Sequence, residues 1–258
     1  MALYDRIGIG YDTTRQADPY LLSRLIHHLR PRASGRYLDI GSGTGNYTIA
    51  MHQAGVPIRG LELSATMLRR AKEKGPAIAW HNGRAEAIPF ASGSFDGATC
   101  TFVNHHMADP VAAFKEVHRV LTPHARFVIL NCTAEQTRHY WLNEYFPRAM
   151  EKATAPYERF ETIDVLESAG FRIECGEKYD VAPDLKDLFL YCGKHQPERY
   201  LDPRIRSGIS SFADAPDQEE IARGVDRLAA DIESGRIKDV IRKFAYDGGD
   251  YMFTVAER

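Results

Sequence analysis

The sequence lacks the features that mark several function classes. Its four cysteines, Cys100, Cys132, Cys175 and Cys192, stand far apart. None forms a C-x-x-C pair, which argues against a zinc ribbon. They are expected to be reduced, buried small hydrophobes. No apolar run approaches the roughly twenty residues of a membrane span. The opening MALYDRIGIGYD carries charges where a signal peptide needs an apolar stretch, so a cytoplasmic protein without a membrane partner is expected. Positive charge is not in excess: 33 Lys and Arg stand against 35 Asp and Glu, for a formal net charge of −2. Chains that live on phosphate backbones usually carry a basic stripe, so no nucleic-acid partner is expected. H-E-x-x-H and similar ligand spacings are missing, and no metal site is expected. Internal repeats and low-complexity segments are also missing.

What remains is an ordinary globular chain. Its 258 residues, 44% hydrophobic and 26% charged, suffice for one large domain or a domain with an insert. Leu21, Leu22, Leu25, Ile26 and Leu29 recur at helical spacing, with Asp18 as cap and Pro19 in the first turn. RYLDIG (36–41) reads as a buried strand, followed by a helix that Gly55 stops. PIRGLE (57–62) is a second strand, and Ser64 caps the helix ATMLRRAKEK. Residues 77–81, 96–104 and 125–132 read as three further strands, with Asp109-Pro110 opening a helix before the last. Strands are also expected within 162–182, after a helix and a glycine stop, and over 250–258. Near-continuous apolar strands alternating with helices predict an α/β fold: a Rossmann-like, seven-stranded, mostly parallel sheet with helices on both faces. The core is expected to comprise 35–132, 162–182 and 250–258. Residues 133–161 and 183–249 are expected to be helical inserts, too long for simple loops.

LDIGSGTGNY (38–47) places Asp39, Gly41, Gly43 and Gly45 in the pattern D-x-G-x-G-x-G. Glycines let a turn leave a strand tightly and let a ligand approach the backbone. The following helix offers its N-terminal N–H groups. In open α/β sheets ligands sit beyond the carboxyl ends of the strands. A dinucleotide fingerprint needs glycine at 46, where Asn46 stands, and the Gly-Lys-Ser/Thr of a P-loop is absent. Glu62 ends the second strand, about twenty residues past the first glycine, where a carboxylate suits two ribose hydroxyls. GRAEAIPFASGSFDGA (83–98) and FKEVHRVLTPHARFVIL (114–130) complete the set.

Together these segments resemble the class I S-adenosylmethionine-dependent methyltransferases, in the type 11 branch that includes quinone C-methyltransferases. The resemblance covers about residues 35–131. It departs where the branch usually has Pro-Gly-Gly, since Pro123 is followed by His124 and Ala125. It implies S-adenosylmethionine as cofactor and S-adenosylhomocysteine as product. Asp39 and the turn Gly41, Ser42, Gly43 and Gly45 would hold the methionine part. Glu62 and Leu63 would lie at the ribose, with Met67 packed on it. Arg84, Ala85 and Glu86 would lie round the adenine, although many relatives have Asp at the position of Arg84, which cannot accept the adenine amino proton. Asn104 would flank the methyl group. The segment 4–19 also resembles the branch's opening, so residues 1–34 would close over the cofactor, with Tyr11 covering it and Arg15 pairing its carboxylate.

Methyl transfer is an in-line displacement that needs alignment and exclusion of water, with a base where the nucleophile carries a proton. His105 and His106, in VNHHMADP, are the candidate catalytic residues. Neighbours on an extended strand point opposite ways, so one is expected to face the cleft and the other the packing or solvent side. The Asn/Asp-Pro-Pro-aromatic motif of enzymes acting on base or amide nitrogens is missing, which favours an O, C, S or amine nucleophile on a small molecule. The aromatic run at 139–160 supplies His139, Tyr140, Trp141 and Tyr145 as candidate substrate contacts, or equally as the core of a cap. DLKDLFLYCGKHQPERYL (184–201) is similar, and both inserts are expected to form a lid. Cys132, ending the fifth strand, is expected to face the site. A monomer or homodimer is expected. A cofactor-binding regulatory protein without turnover stays open as an alternative, and an RNA or protein methyltransferase is disfavoured by charge and motif.

Overall fold

The computed structural model describes residues 10–258. The part of the expected N-terminal segment before Gly10 lies outside the described residues. Seven strands form one sheet: β1 (Tyr37–Ile40), β2 (Ile58–Glu62), β3 (Trp80–Asn82), β4 (Phe95–Thr101), β5 (Leu121–Asn131), β6 (Arg172–Tyr179) and β7 (Tyr251–Glu257). Their spatial order is β3-β2-β1-β4-β5-β7-β6, and β7 runs antiparallel to both of its neighbours. The chain builds outward from β1 to β3, then returns to lay β4 on β1's other side. That reversal opens a crevice above the ends of β1 and β4, where ligands of doubly wound sheets bind.

Helices cover both faces. The ordered helices are α1 (Pro19–Leu29), α2 (Asn46–Gln53), α3 (Ala65–Lys74), α4 (Pro110–Val120), α5 (Ala134–Arg138), α6 (Pro147–Arg159) and α7 (Thr162–Ser168). After β6 come α8 (Pro203–Ser207), α9 (Ser210–Ala213), α10 (Gln218–Glu233) and α11 (Ile237–Lys243). The predicted caps hold. Asp18 accepts from the N–H groups of Tyr20 and Leu21, Ser64 from Met67, and Asp109 from Ala112. Successive residues of β5 feed opposite faces: Phe127 and Ile129 join Phe114, Val117 and Leu166, while Val128 and Leu130 join Leu21, Leu25 and Phe253. The second cluster continues without a break into Trp141, Phe146, Tyr191 and Tyr200, so the segments after β5 and after β6 share one core with the sheet.

Three boundaries differ from expectation. β3 begins at Trp80, three residues late. β5 begins at Leu121, directly after α4. β4 stops at Thr101, and Asn104–His106 form a single 3-10 turn instead of strand. Phe102, at φ 57°, breaks the extended backbone there. His124, at the branch's glycine position, also takes a left-handed conformation, with φ 64°.

Candidate active site

The glycine turn is shaped by what it must avoid. Gly41 has φ 67°, and a Cβ there would stand 2.3 Å from Val103 Cγ1. Gly45 has φ 83°, and its Cβ would meet the Trp80 ring at 2.4 Å. A Cβ on Gly43, at φ 56°, would find only Met67 Cε at 3.8 Å, because that residue opens on a cavity. Glu62 reaches over from β2. Its Oε2 accepts from Gly43 N at 2.9 Å and its Oε1 from Ser64 N at 2.7 Å. Asp39 is anchored from below by Thr48 and Thr99 hydroxyls at 2.6 and 2.9 Å. Burial pushes its carboxyl up to about 6, against the pull of those two donors.

The cavity has a volume of about 420 Å³. Of the residues expected at the cofactor, Tyr11, Arg15, Asp39, Gly41, Ser42, Gly43, Glu62, Leu63, Met67, Ala85 and Glu86 line it. Three do not. Gly45 caps α2 and packs on Trp80. Arg84 lies outward, more than half exposed, with Nε 3.5 Å from Glu86. Asn104 is turned away by the 3-10 twist, and its Nδ2 lies 3.4 Å from Thr162 Oγ1. Ser42 Oγ and Thr101 Oγ1, both on lining residues, are buried without a hydrogen-bond partner among the described residues. Buried hydroxyls of that kind fit a polar ligand.

Thr44, Tyr47, Thr101–Val103, Met107 and Asp187 also line the cavity, unforeseen from sequence. Asp187 binds Arg15 with both carboxylate oxygens, at 2.5 and 3.2 Å, and accepts from Tyr47 Oη at 3.1 Å. Its distance of 172 residues from Arg15 left no local signal. Arg15 also lies over the Tyr11 ring, 4.9 Å from its centroid.

The 3-10 turn corrects the expected division of the histidines. Both His105 and His106 line the cavity, with ring centroids 3.9 Å apart. Tyr157 Oη lies 2.9 Å from His105 Nδ1. His106 is exposed, but the chain packed round its ring desolvates it, and this, ahead of the nearby Arg15 and Lys152, lowers it to about 4. Burial first, then His106 and Arg15, holds His105 well below the usual histidine range. Both rings are therefore neutral near pH 7.

A second cavity of about 170 Å³ adjoins the first, sharing Arg15, Phe102, His105 and His106. Its far walls are Tyr157 of α6, Phe189, Leu190, Ile209 and Tyr251 of β7. Lys152 and Asp214, with Nζ 2.6 Å from Oδ2, also line it. The expected substrate contacts are elsewhere. Tyr140, Trp141 and Tyr145 are buried in the core, where Tyr140 stacks on Tyr191 at 3.8 Å. His139 stacks on Tyr246 at 4.3 Å. Neither cavity includes them. Cys132 is off both cavities too, beside Tyr157, and burial pushes its thiol up to about 12.

The methyltransferase domain family of type 11 matches residues 38–129. A solved structure from Anabaena variabilis, described as a methyltransferase from an antibiotic biosynthesis pathway, superposes with TM-score 0.83 at 30% identity, over 95% of this chain and 99% of that one. The chain belongs to the class I S-adenosylmethionine-dependent methyltransferases, type 11 branch. Among curated methyltransferases of this kind, a ubiquinone/menaquinone biosynthesis C-methyltransferase of Geotalea uraniireducens is 32% identical, over 50% of this chain and 60% of that protein. A malonyl-[acyl-carrier protein] O-methyltransferase of Erwinia pyrifoliae is 28% identical, over 65% and 63%. The chain thus spans little more than half the length of the curated methyltransferases it matches. Among the described residues no helix is long and apolar enough to cross a membrane.

Proposed function

We propose that the chain transfers a methyl group from S-adenosylmethionine to an O, C, S or amine nucleophile of a small molecule. One observation supports the reading: the larger cavity, walled by the glycine turn and Glu62, shares His105 and His106 with a second, mostly apolar one beside it. The ubiquinone/menaquinone biosynthesis C-methyltransferase and the malonyl-[acyl-carrier protein] O-methyltransferase among the relatives support it by family. The cofactor would supply a methyl group on a positively charged sulfur. The chain's own residues do the rest. Glu62, oriented by two backbone N–H groups, would accept from the ribose hydroxyls. Asp39, the turn, Met67, Ala85 and Glu86 would bind along the same cavity. Arg15 and Tyr11 would close it from the N-terminal side. Residues 133–161 and 183–249 would form the substrate cap and exclude water. A neutral histidine can take a proton from the acceptor, and His105, oriented by Tyr157, is the stronger candidate.

Isothermal titration with S-adenosylmethionine tests the first claim. Binding in the micromolar range is expected. Glu62→Ala should weaken it by about tenfold or more, as expected on losing a hydrogen-bonded carboxylate. Absence of binding would sink the proposal. Release of S-adenosylhomocysteine across an acceptor panel separates turnover from binding alone.

A further inference from the structure

We propose that the smaller cavity is an acceptor subsite for a single aromatic ring bearing a hydroxyl group, that is, a phenol. The inference rests on the methyltransferase reading above for its place in the reaction. It follows from size, wall chemistry and the position of the polar groups.

Size comes first. A dry cavity of about 150 Å³ in a protein core accepts benzene. The cavity here, about 170 Å³, therefore has room for one ring with a small substituent. The walls come next. Phe102, Phe189 and Tyr251 pack on one another with centroids 4.6, 5.2 and 4.9 Å apart, at tilted and edge-on angles. Three rings locked in this way form a rigid surface, and Tyr157 adds a fourth. Aromatic faces and edges favour another ring over an aliphatic one of equal size. The polar groups lie at the mouth shared with the larger cavity. Tyr157 occupies Nδ1 of His105, which leaves Nε2 as the ring nitrogen that can meet a ligand. Cys132 stands behind Tyr157 and shares a hydrogen bond with its hydroxyl. With the Tyr157 proton directed to that sulfur, the tyrosine oxygen accepts from Nδ1–H, and Nε2 presents its lone pair. A phenol hydroxyl donating to Nε2 would then lie between the two cavities, with its ring against the aromatic wall.

Titration calorimetry of the full chain, with and without saturating S-adenosylhomocysteine, tests this without turnover. The probes are phenol, cyclohexanol, toluene and 1-naphthol. Phenol should bind at least about tenfold tighter than the other three, since a site built for a hydroxyl and one ring rejects analogues that lack either or exceed the space. Phe189→Ala should raise 1-naphthol to the level of phenol. Should that variant fail to fold, Leu190→Ala enlarges the same wall. Tyr157→Phe should weaken phenol and leave toluene unchanged, which general loosening of the cap would not do. Equal binding of cyclohexanol and phenol, tighter binding of 1-naphthol by the unaltered chain, or no phenol binding in either state would overturn the proposal. If S-adenosylhomocysteine fails to bind, the methyltransferase reading falls, and the phenol series on the cofactor-free chain still decides the subsite.

Discussion

Asp39 and His106 titrate in opposite senses, and the chain's acid response depends on both. Asp39 is raised to about 6, from an unfolded value near 4. Between those values the folded protein holds a proton that the unfolded chain releases. Stability contributed at Asp39 therefore falls as pH rises through that window, by about 3 kcal/mol in all. His106 is lowered to about 4, from about 6.5. There the unfolded chain binds the extra proton, so stability is lost as pH falls from about 6.5 towards 4. Asp39→Asn should gain on the parent chain by up to about 3 kcal/mol between pH 4 and 7, read by urea midpoints. His106→Ala should lose less stability than the parent below pH 6. The same midpoints check it, and a steeper acid loss in the variant would contradict the assignment.

At the scale of elements, the turns carry the sharper consequences. Gly41→Ala forces a side chain to φ 67° and into Val103, so both fold stability and ligand binding should fall. Gly41→Ala with Val103→Ala should recover part of the stability, which thermal melting reads. His124→Gly should act the other way. It relieves a left-handed non-glycine residue, worth roughly 1 kcal/mol, and gives up only an exposed contact to Glu257. A rise in melting temperature is expected. The same turns mark where the sequence stopped being legible. β1, β2 and the three capped helices announced themselves by apolar period and by Asp18, Ser64 and Asp109. The end of β4 did not, because Phe102 and Val103 prolong an apolar run while the break lies in one dihedral angle. Aromatic composition could not sort the segment after β5 either. Trp141 and Tyr157 come from one short stretch and both join the core, yet only Tyr157 also walls a cavity.

Across the whole molecule, the least local feature is the Arg15–Asp187 pair. Both partners are buried, and Tyr47 of α2 joins them, so three distant parts of the chain meet at the cavity wall. Removing one partner of a buried pair strands the other charge. Asp187→Ala should thus destabilise by about 3–5 kcal/mol and weaken S-adenosylmethionine binding. Replacing both by apolar residues should restore much of the stability without restoring the binding. Denaturation and calorimetry together separate the two effects.

The strand order carries a consequence in time. β7 follows β6 in the chain yet lies between β5 and β6. During synthesis β6 has no partner, and the flank of β5 stays open, until residues 251–257 have left the ribosome. Tyr251, a wall of the ring-sized cavity, arrives with that strand. A nascent chain can therefore assemble the glycine turn and its neighbours early, but it completes the acceptor wall only in the step that seals the sheet. Chains cut before residue 251 should display a bare strand edge and precipitate, which light scattering would register.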